Sequence, residues 1–221
     1  MWNYIKLKIE KTWLGPTHLA RILLLKLISE ACVYAKGLLL DIGCGKRPYS
    51  FLYSNNISEY IGMDMRYDLS HIPNVLGDAL SIPLKSGVVD TVLCTQVLEH
   101  VSDPGRCITE MHRVLKTSGY LILTAPQTVC LHEEPYDYFR FTKYGLQVIA
   151  EESGFHIEYI KPDCGSWSVA GQTINEFIRK HGKITYPLCA VVQLSFFLLD
   201  LIFSKRGGDT LNYIMVAKKI K

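Results

Sequence analysis

No two of the seven cysteines, at positions 32, 44, 94, 107, 130, 164 and 189, stand three positions apart, and no histidine follows another by four. Zinc-finger spacing is therefore missing, an odd count does not make a closed disulfide framework, and the usage suits a reducing, cytoplasmic setting. The charge excess is small: a net +3 spread along the chain lacks the electrostatic footprint of a nucleic-acid partner. Lys6, Lys8 and Lys11, like Lys218, Lys219 and Lys221, read as solvated ends. No secretory leader is expected, because charged residues precede an apolar run broken by Arg21 and Lys26, with no small-residue cleavage site. Low-complexity tracts and repeats are also missing, and 48% hydrophobic residues exclude a disordered chain. Residues 184–199 lack any charged side chain, yet this run falls short of the roughly 20 residues of a membrane span and is diluted by Pro187, Gln193 and Ser195. A helix packed on the domain or lying in a membrane interface is the expectation, with peripheral contact at the inner membrane face.

What is present is one α/β domain's worth of chain. Apolar runs at Leu38–Leu40, Tyr60–Met63, Asn74–Leu76, Val88–Cys94 and Tyr120–Leu123 alternate with polar stretches, as short parallel strands joined by crossovers do. Asp103-Pro104 opens a helix with Ile108, Met111, Val114 and Leu115 on one face, and Gly119 stands where that helix would end. A second helix is expected from Thr142 to Glu152, stopped by Gly154. Phe155–Ile160 and Leu211–Val216 alternate in polarity and are read as an antiparallel edge. The expected fold is a doubly wound, Rossmann-like, mostly parallel seven-stranded sheet with helices on both faces. Residues 1–36 form an N-terminal helical segment, 37–161 the cofactor-binding core, 162–209 a helical insertion and 210–217 the last strand. The insertion is expected to cover an acceptor pocket, contributing Trp167 and Asn175, or else to form a dimer interface; the oligomeric state stays open.

The chemistry concentrates after the first strand. In Leu40-Asp41-Ile42-Gly43-Cys44-Gly45 a buried strand runs into two glycines, which let the backbone turn sharply and approach a ligand. Asp64, about 20 residues on, stands where a carboxylate accepts from ribose hydroxyls. A dinucleotide loop needs a third glycine to bring a helix N-terminus onto pyrophosphate, and Pro48 occupies that place. A phosphate-free cofactor with a cationic end, S-adenosylmethionine, fits better, with Asp41 facing that end.

These residues resemble the class I methyltransferases, in particular the group with a strand, Asp-x-Gly-x-Gly and a later Leu-Glu-His. The resemblance covers about half of the chain, Leu38 to Phe155, in the family's order: Asp41–Gly45, Gly62-Met63-Asp64, Gly77-Asp78-Ala79, and Cys94 to Val101 with Leu98-Glu99-His100. It implies that Asp41, Gly43, Cys44, Gly45, Asp64, Met65, Asp78, Ala79 and Gln96 bind S-adenosylmethionine. Asp78 would accept from the adenine amino group, Met65 pack on the ring and Gln96 lie near the methionine portion. Many relatives have a third glycine where this chain has Arg47, a long side chain that would narrow the loop or point to solvent.

Methyl transfer needs alignment more than covalent help, since the sulfonium is already activated. Should the acceptor be a hydroxyl, a base would assist. The segment after the Tyr120–Thr124 strand opens at the ligand-binding edge and supplies His132 as candidate base, with Tyr136, Asp137, Tyr138 and Arg140 as walls. The plainer alternative is that Arg140 pairs with Asp137 to hold the loop and the aromatics merely pack. His100 is expected to cap or orient a helix. No metal is expected, because the adjacent residues His132-Glu133-Glu134 do not converge as helical i, i+4 ligands do. The acceptor is read as a small molecule: a sugar, a lipid or a lipid-linked intermediate. Two other readings stay open, a nucleotide-dependent oxidoreductase and a non-catalytic cofactor-binding subunit.

Overall fold

The apolar runs are too short for helices and rich enough in Leu, Ile and Val to be buried on both faces, so they assemble side by side. A computed structural model describes residues 18–53, 57–66, 72–203 and 208–221. Lys6, Lys8 and Lys11, with the first half of the N-terminal segment, lie outside the described residues. The strands are β1 (Gly37–Ile42), β2 (Ile57–Asp64), β3 (Val75–Leu76), β4 (Val89–Thr95), β5 (Leu115–Pro126), β6 (Phe155–Pro162) and β7 (Asn212–Lys219). They form one sheet in the order β3-β2-β1-β4-β5-β7-β6. β1 pairs in parallel with β2 and β4, and β5 continues the parallel run beside β4. The antiparallel end of the sheet is made by the last two strands, with β6 at the rim. Leu39, Leu40, Ile42, Val92, Leu93, Leu121 and Leu123 are buried, each contributing about 1.5–3 kcal/mol relative to exposure.

The chain divides into two compact units. The sheet unit comprises Ile28–Pro126, Leu131–Lys161 and Tyr213–Lys221. Within it, α2 (Pro104–Val114) begins at an Asp103 cap that accepts the Arg106 N–H at 3.0 Å, and Cys107, Ile108, Met111 and Val114 form its buried face. This helix ends at Val114, before Gly119, because Leu115 already turns into the extended conformation of β5. Gly119 instead occupies a crowded bend in the strand, where a Cβ would come within 2.8 Å of the Lys116 carbonyl and 3.0 Å of the Asp90 carbonyl. α3 (Lys143–Glu152) is capped by Thr142, whose hydroxyl accepts the Gly145 N–H at 3.0 Å.

The other unit takes in Met1–Leu27, Gln127–Cys130 and Pro162–Asn212. α1 (His18–Ala31), which runs from it into the sheet unit's residues, buries Leu23, Leu24, Leu27, Ile28 and Ala31 at helical spacing. α4 (Ser166–Ile178) and α5 (Tyr186–Phe203) form an antiparallel hairpin, since partners running up one helix meet residues running down the other. Asn175 Nδ2 donates to the Cys189 carbonyl at 3.0 Å, Gln193 Nε2 to Gln172 Oε1 at 3.3 Å, and Trp167 rests on Phe196. Gly171 allows this approach: a Cβ there would lie 2.7 Å from Phe196 Cβ.

Candidate cofactor and acceptor site

β1 is flanked by β2 on one side and β4 on the other, so the chain's winding reverses there and the carboxyl ends of these strands open a crevice. A cleft of about 660 Å³ lies at those ends. Gly43 turns the chain out of β1 at φ 65°, and a Cβ there would collide with Val97 Cγ2 at 2.3 Å. Gly45 has φ 44° and donates its N–H to Asp64 Oδ2 at 3.1 Å, which ties the glycine turn to the end of β2. Asp64 Oδ1 accepts from the Arg66 N–H at 3.0 Å, and Asp78 Oδ1 from the Leu80 N–H at 2.8 Å. Gln96, at φ 55°, is anchored on β5: its N–H donates to the Thr124 carbonyl at 3.1 Å and its Nε2 to Thr124 Oγ1 at 3.2 Å.

Of the residues expected to hold a cofactor, Gly43, Gly45, Asp64, Met65, Asp78, Ala79 and Gln96 line this cleft. Two others are buried and do not line it. Cys44 is buried, with its N–H donating to the Met63 carbonyl at 3.1 Å. Asp41 is 3% exposed; Oδ2 accepts from the Tyr60 hydroxyl, while Oδ1 has no hydrogen-bond partner. Burial pushes the Asp41 carboxyl up to about 7, against the Tyr60 hydrogen bond and the Arg47 charge, which favour the anion. The part-exposed Arg47 side chain folds back onto the segment before β3. At φ 52° it swings back to donate to Ile72 O at 3.1 Å and Asn74 Oδ1 at 2.9 Å, with its guanidinium over the Tyr60 ring. A positive φ is a backbone conformation that favours glycine.

The wall of the cleft facing the glycine turn includes residues of the loop after β5. Tyr136 and Tyr138 line the cleft, together with His100, Val101, Ser102 and Glu133, which sequence reasoning had not placed there. The loop is pinned to the turn after β4, because Glu99 O accepts from the Tyr138 N–H at 2.8 Å and the Phe139 N–H at 3.2 Å. His100 does not cap α2; its Nδ1 lies 2.9 Å from the Tyr136 carbonyl. Asp137 is nearly inaccessible and takes a two-pronged bond from Arg140, Nη1 to Oδ1 at 2.6 Å and Nη2 to Oδ2 at 2.8 Å, which holds its carboxyl well below the usual carboxylate range. Asp137 and Arg140 thus brace the loop. His132 is half-exposed beside Asp137, with Nδ1 3.3 Å from Oδ2. Trp167 belongs to the helical unit, on Phe196.

This cleft fits S-adenosylmethionine by two observations. The glycine turn is a cradle that a Cβ at Gly43 would fill. Among the described residues no α-helix follows Gly45 before β2, only the single 3-10 turn Ser50–Leu52, so the loop lacks the helix N-terminus a diphosphate would use.

Residues 40–123 match the family model described as a methyltransferase domain. The chain is 26% identical over 135 residues to a probable S-adenosylmethionine-dependent methyltransferase of Mycolicibacterium smegmatis, covering 54% of this chain and 52% of that protein. It is 25% identical over 195 residues to a ubiquinone biosynthesis O-methyltransferase of Pseudomonas paraeruginosa, covering 76% and 82% respectively. The chain therefore spans about half the length of the first of these relatives. The crystal structure of the cyclase SpnF shares the fold with a TM-score of 0.61 at 21% identity, over 89% of this chain and 79% of that one.

Proposed function

We propose that this chain, whose residues 40–123 match a methyltransferase domain, is a class I S-adenosylmethionine-dependent methyltransferase that transfers the cofactor's methyl group to a small-molecule acceptor. The observation that carries this reading is that one cleft runs from the Asp64 and Asp78 carboxylates past Gln96 to the aromatic walls Tyr136 and Tyr138. Its volume, about 660 Å³, is in the range of small-molecule sites. When bound, the cofactor supplies an activated methyl group. The Asp64 carboxylate accepts from its ribose hydroxyls, Asp78 from the adenine amino group, and Met65, largely exposed at the cleft wall, packs on the ring. Asp41 Oδ1, buried and unpartnered below the glycine turn, serves the cationic amino-acid end. Gln96, fixed by Thr124, marks the methionine portion, and the tyrosine pair holds the acceptor in line with the methyl group. Phenolic, sugar and lipid-linked hydroxyls are the acceptor classes this wall suits, and an O-methyltransferase among the relatives supports a hydroxyl.

The testing experiment is calorimetric titration of S-adenosylhomocysteine into the full chain and into Asp64→Ala, followed by a labelled-methyl screen of acceptors. Saturable binding that Asp64→Ala weakens about 10- to 100-fold is expected, the worth of hydrogen bonds to a charged group. No binding by the unaltered protein would remove this reading.

The acceptor side of the proposal includes a lipid surface. Lys183–Phe203 is, among the described residues, the one helix long and apolar enough to cross a membrane by length and composition. Its polar residues Gln193 and Asp200 are buried in the hairpin with α4, while Leu188, Val191, Leu194, Leu198, Leu201 and Ile202 are exposed. Arg179, Lys180 and Lys183 stand at its start. An apolar face flanked by cations suits an anionic bilayer interface rather than a span. Co-flotation with anionic but not neutral vesicles is expected; absence of flotation with both withdraws the lipid-side version.

A further inference from the structure

Glu99 and His100, on the turn after β4, meet His132 from the loop after β5, and one potential ligand atom from each lies within 4.8 Å of the others. The Glu99 side chain is fully inaccessible, and neither of its oxygens makes a hydrogen bond. A buried carboxylate without partners is costly, and native structures rarely leave one so.

Both histidines are oriented as ligands are. His100 Nδ1 lies 2.9 Å from the Tyr136 carbonyl, so it carries the proton, and the lone pair is on Nε2, 3.9 Å from Glu99 Oε1. His132 Nδ1 lies 3.3 Å from Asp137 Oδ2, which directs its Nε2 to the ligand role. Asp137 is itself fixed by Arg140 and by the His132 N–H at 2.9 Å. Metal-binding histidines characteristically donate their other ring N–H to a carbonyl or a carboxylate, and both arrangements occur here. The two rings meet edge to face with centroids 4.8 Å apart. A triangle with sides no longer than 4.8 Å can be centred within about 2.8 Å of every corner, so closing to zinc bond lengths of about 2.0–2.2 Å moves each ligand by less than about 1 Å.

We propose that Glu99, His100 and His132 bind one divalent transition-metal ion of the zinc class, leaving a coordination position for the acceptor's oxygen. Two imidazoles and one carboxylate select zinc, cobalt or iron over magnesium and calcium, which prefer oxygen ligands throughout. His100 also lines the cleft beside Tyr136 and Tyr138, so the ion stands on the acceptor side. An acceptor hydroxyl bound to it would lose its proton more readily, the task otherwise left to His132 as a lone base. The acceptor role rests on the methyltransferase reading; the ion site does not.

The test uses the untagged full chain, stripped by chelator and titrated with Co²⁺ without acceptor, followed by visible absorption and calorimetry. One Co²⁺ per chain is expected, with affinity lowered at least about tenfold in Glu99→Gln and in His132→Ala, and about 10- to 100-fold in Asp137→Asn through the outer hydrogen bond. Parallel S-adenosylhomocysteine titration and thermal unfolding report whether each variant is folded. Cofactor binding without Co²⁺ binding overturns the metal site and leaves the methyltransferase reading standing. Co²⁺ binding without cofactor binding does the reverse. Folded variants that bind Co²⁺ as tightly as the parent place the ion elsewhere and also overturn the site.

Discussion

Asp137 grips His132 twice: Oδ2 accepts the His132 backbone N–H at 2.9 Å and lies 3.3 Å from the ring Nδ1. The same carboxylate receives both Arg140 prongs, so a single acidic side chain sets the shape of the loop that faces the cleft. Replacing it with alanine leaves the part-buried guanidinium without its main partner. The Asp137→Ala protein should lose about 1–3 kcal/mol in urea unfolding, the cost of an unmade charged hydrogen bond. Because the Asp137 carboxyl is held below its ordinary range, this contribution is complete above about 3.8 and is lost progressively as pH falls from there towards the depressed folded value. A urea midpoint unchanged by the substitution would show that the loop is shaped by its aromatics instead.

Gly43→Ala places a methyl group 2.3 Å from Val97 Cγ2 at a backbone with φ 65°. The strain should cost about 1–3 kcal/mol, and any relief by displacing the turn should weaken S-adenosylhomocysteine binding. Gly87→Ala, which shares a positive φ but has nothing near the added Cβ, separates backbone strain from collision. Denaturant melts of the two variants make the comparison, and equal losses would dismiss the Val97 contact.

Stability without cofactor should fall as pH rises from about 4 to about 7. Asp41 titrates near 3.8 when unfolded and about 7 when folded, so over that window the folded state binds more protons than the unfolded one. Stability from this group is therefore greatest in acid and declines up to the folded value, by as much as roughly 4 kcal/mol. Asp41→Asn should flatten the profile. Melting temperatures of parent and variant across that range decide it, and parallel profiles would sink the assignment.

Asp200 is an N-cap supplied from another helix. Its oxygens accept the N–H groups of Gly165 at 2.9 Å, Trp167 at 3.0 Å and Ser168 at 3.0 Å, satisfying the first turn of α4. Asp200→Ala should destabilise the hairpin by about 1–2 kcal/mol. Hydrogen exchange should accelerate at the amides of residues 165–168 ahead of the sheet unit; protection left intact there would contradict the capping role.

Local chemistry was readable wherever one segment contains its own explanation. The buried runs at Leu38–Leu40 and Val88–Cys94 became β1 and β4, Asp103 and Thr142 capped the helices they precede, and the glycine turn with Asp64 and Asp78 came together at the switch point. Gly119 misled because a glycine after a helical stretch looks like a stop, whereas here it relieves crowding by the Asp90 carbonyl across the sheet. Arg47 was opaque for the same reason: its partners Ile72 and Asn74 are contributed by another strand's approach.

The sequence alone determined the strand–turn–carboxylate pattern, and with it the class of cofactor, because periodicity, caps and a glycine turn act over a few residues. Only the tertiary structure decided that Glu99, His100 and His132 converge, that Asp137 orients His132, and that Asp200 caps α4. Those relations depend on the relative placement of elements far apart in the chain, which is set by the packing of the whole and leaves no local spacing to read.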